Sequence, residues 1–418
     1  MLILITLSES KCLSSHLKEL HMKHTILCIN SGSSSIKFAL YLIQETEELI
    51  AEGAVERIGL SGGWLWLKDS QGKRLVDRHS DYSDHKEAVK AMFTTAIEEQ
   101  HLPVPDGVGH RLAHGGPKHI TPEIVTPELM LTLRNLIPLA PLHLPGEIKG
   151  IDAVTEHYPG LSQAVCFDTA FHRRIPEVAQ RLPIIRSLWH EGIHRYGFHG
   201  LSYEYIISAL GRDIKGRVII AHLGSGASMA ALNDGHPQDT TMGFSGLGGL
   251  MMGTRCGDLD PGVLLYLIEE KGYDARQIEK LLYQRSGLIG VSGISSDMKT
   301  LLDKRTTEPH AAQAIELFCY TARKYIGALS AVLGGLDTLV FTGGIGERAA
   351  PVRWMICHGL DYLGIRVDPG NNDANAGIIS INKSPCTVRV IPTNEDLMIA
   401  RHTRALLIKR PQGANHEH

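Results

Sequence analysis

Two arginines sit among small residues, where a guanidinium could grip an oxyanion through two parallel N–H groups: Arg111 in GHRLAHGG and Arg255 in GLMMGTRCGDLDPG. The plain alternative for either is a salt bridge that orders its loop. A third candidate is histidine chemistry. HEGIH at 190–194 matches HExxH, and HEGIHRYGFH nearly matches the longer HExxHxxGxxH pattern of zinc proteases, with Glu191 as the base. That reading needs both histidines on one helical face. Gly192 weakens such a helix, the stretch between Pro183 and Gly197 leaves little length for one, and His199 comes one residue early. The histidines of the C-terminal RPQGANHEH give no metal pattern.

Phosphate chemistry is suggested by glycine-rich turns. HLGSGAS (222–228), GFSGLGGLMMGTRCGDLDPG (243–262) and FTGGIGE (341–347) are each weak alone, because turns use glycine for backbone freedom. FTGGIGE says more, since a strand running into GGxGE leaves bare backbone for a nucleotide to approach. INSGSSSIKFAL (29–40) invites comparison with a P-loop but lacks the second glycine before the lysine. Apolar residues follow it in strand-like order where a P-loop needs a helix.

The elements that must position these groups are strands mixed with long helices, which indicates an α/β protein. TILCIN, IKFALYLI, LIAEGAVERI and WLWLKD predict a strand-rich opening over 24–68, followed by a helix near 84–100. DARQIEKLLYQRS and PHAAQAIELFCYTARKYIGALSAVLGGL read as helices, TLVFTGGIGE as a buried strand, and TVRVIPTNEDL as a late strand. Sliding the opening forward by 192 residues brings Asn30 onto His222, Gly32 onto Gly224, Ser33 onto Ser225, Ala39 onto Ala231 and Leu40 onto Leu232. Both copies read as apolar strand, small polar turn, apolar strand. A duplicated β-hairpin follows, whose turn amides could hold a polyphosphate.

A chain of 418 residues exceeds one compact core, so two domains are expected. A net charge of −3 gives no electrostatic reason to expect nucleic acid or an acidic membrane surface. Seven scattered cysteines, odd in number and without a CxxC pair, fit reduced thiols in a cytoplasm. No apolar run approaches the ~18 residues of a membrane span. MLILITL lacks a basic leader and a cleavage site, and Met22 directly precedes the first strand. Residues 1–21 are therefore expected to be an extension, and 411–418 a flexible tail.

INSGSSSIK, GHRLAHGG, APLHLPG, FDTAFH, RYGFHG, HLGSGAS, GLMMGTRCGDLDP, SGISSDM, FTGGIGE and IPTNED, in that order over about 24–403, resemble the successive signatures of the acetate kinases. The resemblance implies the acetate and sugar kinase/actin superfamily. Its fold is two duplicated ribonuclease-H-like α/β domains with an interdomain ATP cleft. Domain I is then 22–170, with 397–410 returning to it, and domain II is 171–396. It further implies ATP as co-substrate, Mg²⁺ (or Mn²⁺), acetate or another short-chain carboxylate as acceptor, and a homodimer.

Carried over residue by residue, Arg111 and Arg255 resemble the arginines flanking the carboxylate and the phosphoryl group in transfer, and His199 the histidine that hydrogen-bonds that group. Without the family, His199 reads as a structural histidine in a turn. Asp168 resembles a catalytic carboxylate near the γ-phosphate; its alternative is the N-cap of a helix opening at DTAFH. Asn30 and Glu395 resemble the metal-placing residues. His222, Gly224, Ser225 and Gly226 match a phosphate loop, while Asp297, Met298, Lys299 and Gly343, Gly344, Ile345, Gly346 and Glu347 match the adenosine side. Lys37 joins the ATP set by the resemblance, although its own surroundings assign it to a strand.

The acyl pocket implied is Arg111, Ala113, Leu142, Phe198 and Gly246. Here the chain departs from the family: Ala113 replaces valine, and SGLGG (245–249) replaces TPLEG, so Gly246 stands for proline. Smaller side chains suggest room for extra methylenes, each worth ~0.8 kcal/mol when buried, and hence propionate or butyrate preference. Ser225 replaces asparagine and Lys299 arginine on the nucleotide side, which suggests looser base selection; Leu144 also replaces asparagine. The expected function is direct, reversible in-line transfer from ATP to acetate, giving acetyl phosphate and ADP. An actin-like nucleotide switch, which has no use for anion-binding groups opposite the γ-phosphate, and the zinc hydrolase are the competing readings.

Overall fold

The computed structural model describes residues 23–409; the expected extension, the Met22 start and the C-terminal tail lie outside the described residues. The chain divides into two compact units. The first runs to Ala170 and resumes at Glu395, while the second is Phe171–Asn394.

In the first unit, β1 (His24–Ser31), β2 (Ser35–Ile43), β3 (Glu47–Glu56), β4 (Trp64–Asp69) and β5 (Arg74–His79) form an antiparallel run. β6 (Gly107–Leu112) and β8 (Ser162–Phe167) then extend the sheet parallel to β1, and the two-residue β7 (Glu123–Ile124) closes its edge. The order is β5-β4-β3-β2-β1-β6-β8-β7. A strand covered on both faces must be apolar along its length. β1 obeys this, with Ile26, Leu27, Cys28 and Ile29 wholly buried. One covering element is the helix Glu395–Lys409, which packs on β1 and β6. Its close approach needs the glycines of GVGHR. A Cβ at Gly109 would overlap Thr403 and Ile399, and one at Gly107 would sit 2.7 Å from Leu407.

In the second unit, β9 (Arg217–Leu223), β10 (Ala227–Asn233), β11 (His236–Thr240), β12 (Thr338–Thr342) and β13 (Thr387–Val390) take the order β11-β10-β9-β12-β13. β9, β10 and β11 are antiparallel neighbours; β12 and β13 run parallel to β9. This matches β3-β2-β1-β6-β8 strand for strand, the duplicated ribonuclease-H-like α/β fold expected from the sequence. The 25-residue helix Pro309–Leu333 buries one face in the second core. Proline opens it and Gly334, at φ 71°, ends it in the left-handed conformation.

The hairpin repeat is real, but its register needs correcting. Ser31 pairs with Ile36, leaving 32–35 as the connection, whereas Leu223 pairs with Ala227, leaving only 224–226. Ala227 lies 191 residues beyond Ile36, so the second strands are offset by one. The Ala39/Ala231 and Leu40/Leu232 identities therefore fall on adjacent rungs, which face opposite sides of a sheet. The stretch INSGSSSIKFAL is this first hairpin, with Asn30 paired to Lys37. Among the described residues no helix is long and apolar enough to cross a membrane.

Candidate active site

In the first unit, three parallel strands deliver polar residues to their C-terminal ends: Asn30 on β1, Arg111 on β6 and Asp168 just beyond β8. Arg111 donates to Asp168 through two nitrogens, Nη2 to Oδ2 at 2.5 Å and Nε to Oδ1 at 3.2 Å. Its Nη1 lies 3.4 Å from Asn30 Oδ1, and its Nε 3.4 Å from Glu395 Oε2. Asp168 thus directs its buried carboxylate to Arg111, and a 3₁₀ turn follows it over Phe171–Arg174. Burial alone would lower the Arg111 pKa, but the nearby carboxylates, Asp168 first and then Glu395, outweigh it and hold the guanidinium charged. Glu395 reaches this edge as the first residue of the helix that the β6 glycines admit.

In the second unit, RYGFHG turns sharply into the helix Gly200–Leu210. Gly197 (φ 74°) has no room for a Cβ beside His172, and His172 Nε2 donates to Phe198 O at 2.8 Å. Burial pushes the His172 pKa down to about 4, so the ring is a neutral strut. His199 follows at φ 60°, a conformation costly for a residue with a side chain and common at functional sites. Its Nδ1 meets Ser228 Oγ at 2.8 Å, and Tyr203 Oη meets the same oxygen at 2.5 Å. Its ring stacks on His222 with centroids 4.3 Å apart; His222 Nδ1 meets Ser202 Oγ at 2.8 Å.

The loop carrying Arg255 docks on the hairpin turn through Gly253 N–H to Ser225 O, 3.1 Å. A Cβ on Gly226 would stand 2.7 Å from Arg255 Nη2 and 3.1 Å from His199 Nε2, so both side chains crowd that bare turn. Arg255 Nη1 donates to Gly246 O at 2.8 Å, and a Cβ on Gly246 would meet the same nitrogen at 2.8 Å. The volume released by glycine at 246 is therefore taken up by the guanidinium, which corrects the expectation of empty space there. Of the other pocket candidates, Ala113 is buried and Leu142 exposed in the first unit, while Phe198 is buried in the second.

The nucleotide candidates converge on one groove of about 830 Å³ in the second unit. Gly224, Ser225, Asp297, Met298, Lys299, Gly344 and Ile345 all line it. Asp297 caps the helix Met298–Lys304 by accepting from Thr300 N and Oγ1, both at 2.8 Å, and those bonds lower its pKa. Gly343 and Gly346 are buried behind the groove. Glu347 accepts the N–H groups of Gly343 (2.9 Å) and Thr393 (3.0 Å), tying the strand-to-helix turn to IPTN. Lys37 is exposed on β2 of the first unit.

Arg305 and Arg348 also line the groove, and sequence reading missed both. Their signal was position alone: each stands within a few residues of a predicted nucleotide segment. Tyr203 and Glu147 carried no signal, and Ser228 only closed the HLGSGAS stretch. The HExxH reading fails on geometry. The helix Arg186–His190 ends at the first histidine, so His194 shares no helical face with it. His194 instead stacks on Tyr196 with centroids 4.2 Å apart, and its Nδ1 lies 3.0 Å from Arg195 O.

The Acetokinase family model matches residues 25–401. An acetate kinase of Rhodopseudomonas palustris is 47% identical over 394 residues, covering 91% of this chain and 98% of that protein. Acetate kinase 2 of Clostridium perfringens is 42% identical over 400 residues, 92% and 100% of the two chains. Among solved structures, the acetate kinase of Porphyromonas gingivalis aligns with a TM-score of 0.84 at 38% identity, covering 92% and 100%. A propionate kinase from Francisella tularensis aligns at 0.86 and 34%, with the same coverage. The chain belongs to the acetokinase family, phosphotransferases whose acceptor is a carboxyl group.

Proposed function

We propose that the chain transfers the γ-phosphoryl group of ATP to the carboxylate of a short-chain acid, acetate first, giving an acyl phosphate and ADP reversibly. The observation that carries this reading is Arg111, set where Asn30, Asp168 and Glu395 meet. Its counterpart in the second unit is Arg255 beside His199 and Gly226. A carboxylate needs no deprotonation at neutral pH, so the site requires no general base. The barrier lies in bringing an anion against a polyanionic nucleotide, and charge compensation lowers it. Arg111 holds the acid's carboxylate, Arg255 the phosphoryl oxygens in transfer. A relay in which Tyr203 donates to Ser228, and Ser228 to His199 Nδ1, leaves Nε2 of His199 carrying the proton for a phosphoryl oxygen.

Asn30 and Glu395 are hard oxygen donors and suit Mg²⁺ or Mn²⁺ held mainly by phosphates and water. When bound, the ion supplies countercharge to the phosphate oxygens. The groove lined by Gly224, Asp297, Lys299 and Ile345 takes the adenosine. Propionate is the second reading, favoured by the small buried Ala113 and by the likeness to a propionate kinase structure. The free, mostly buried cysteines fit a reducing cytoplasm.

A second copy of the chain is the partner. The helix Pro261–Glu269 (PGVLLYLIE) has no buried residue, and its Leu265 and Tyr266 are more than half exposed, a face a homodimer would cover. The test is hydroxylamine trapping of the acyl phosphate with acetate, propionate and butyrate. Acetate should give the highest kcat/KM, propionate the next; a tenfold or greater preference for butyrate would overturn the order.

A further inference from the structure

Glu147 belongs to no catalytic set assigned above, yet it is among the most deeply placed acids of the first unit, 2% exposed. It stands in the first turn of the helix Leu144–His157. Both carboxyl oxygens face one donor, the N–H of Ala113, at 3.1 and 3.2 Å. Ala113 is two residues beyond Arg111 at the end of β6. The neighbouring Gly146 presses on the other side of the same edge: a Cβ there would lie 2.5 Å from Gly32 O, in the turn that follows Asn30. The start of this helix therefore clamps together the ends of β1 and β6, which carry Asn30 and Arg111.

The charges facing Glu147 are Arg111 from β6 and Asp168 from beyond β8. Glu395, on the C-terminal helix, bears on it through Arg111. His114, next to Ala113, accepts the Gly116 N–H at Nδ1. One guanidinium thus already faces two carboxylates before Glu147 is counted. An ionised third would draw on the charge that must hold an incoming anion.

We propose that Glu147 is a positioning residue that works as a neutral acid, anchoring Ala113 and sparing the Arg111 charge for the substrate carboxylate. This rests on Arg111 being the carboxylate-side arginine. Burial supports it by raising the Glu147 pKa to about 8, against the opposing pull of Arg111 and the Ala113 N–H. Below that pH the group is neutral. Above it, a negative charge appears beside Arg111 and carboxylate binding weakens.

The experiment compares the full-length protein with Glu147→Gln, which keeps the shape and cannot ionise, between pH 6 and pH 9.5. For the parent, KM for acetate should be flat to about pH 7.5 and then rise, approaching ~10-fold per pH unit as one proton is lost; for E147Q the rise should be absent. The same alkaline rise in both proteins, or a flat parent profile, would overturn the proposal.

Melting temperature gives a readout independent of turnover. A group whose folded pKa is raised contributes stability that is lost as pH climbs from its ordinary value to the folded one. The parent should therefore lose melting temperature from about pH 5 to pH 8 relative to E147Q and run parallel to it beyond. Parallel curves throughout would reject the neutral acid. If neither protein transfers phosphoryl at any pH, the functional reading fails, while the melting comparison still decides the state of Glu147.

Discussion

The site is built from side chains held by other side chains, and one such arrangement surrounds Gly226. Arg255 and His199 approach it from two different segments, and a methyl group there would force Arg255 Nη2 to move and would press on His199 Nε2. Gly226→Ala should therefore fold normally but push at least one of the two away from the turn. A shift near 1 Å in a positioned group costs ~100-fold in rate, so kcat should fall by about that factor with the melting temperature nearly unchanged. Unaltered kcat would mean that Arg255 and His199 do not work from these positions. Gly246 teaches the converse lesson. From sequence, glycine for proline read as empty volume; in the fold, Arg255 donates to its carbonyl and occupies the space. Composition at one position does not reveal which neighbour moves in.

At the scale of elements, the C-terminal helix reaches the site because β6 reads GVGHR. Gly109→Ala would drive a methyl group into Thr403 and Ile399. Overpacking of this kind costs ~1–3 kcal/mol, which for a unit of this size lowers the melting temperature by roughly 2–4 °C per kcal/mol. Because Glu395 begins that helix, KM for the metal-nucleotide should also rise, measured by titrating Mg²⁺ at fixed ATP. A loss of stability without any change in that KM would detach Glu395 from metal placement.

The strands themselves were legible in sequence, since the middles of β1, β9 and β12 are apolar and wholly buried, as those of doubly covered strands must be. The hairpin register was not, because matching small residues cannot reveal that one turn is a residue shorter. Glu147 was hidden for a different reason. An acid in the first turn of a helix reads as a solvated partner of the helix dipole, and only tertiary packing against Ala113 shows it buried.

For the molecule as a whole, duplication divides the chemistry. The first unit brings Arg111, Asp168, Asn30 and Glu395 to the ends of its parallel strands. The second brings His199, Arg255 and the nucleotide groove to its own. The exposed apolar helix Pro261–Glu269 belongs to the second unit and serves neither set. If that face seats a second copy, as proposed, Tyr266→Glu should lower the mass in sedimentation equilibrium from dimer to monomer; an unchanged mass would place the partner surface elsewhere.

The central claim is that a carboxylate, and not water or a protein side chain, receives the phosphoryl group. Hydroxylamine trapping with purified protein, ATP, Mg²⁺ and acetate measures this directly. The account predicts hydroxamate and ADP in equal amounts, both dependent on the added acid. ADP without hydroxamate, or no turnover with any short acid, would contradict it.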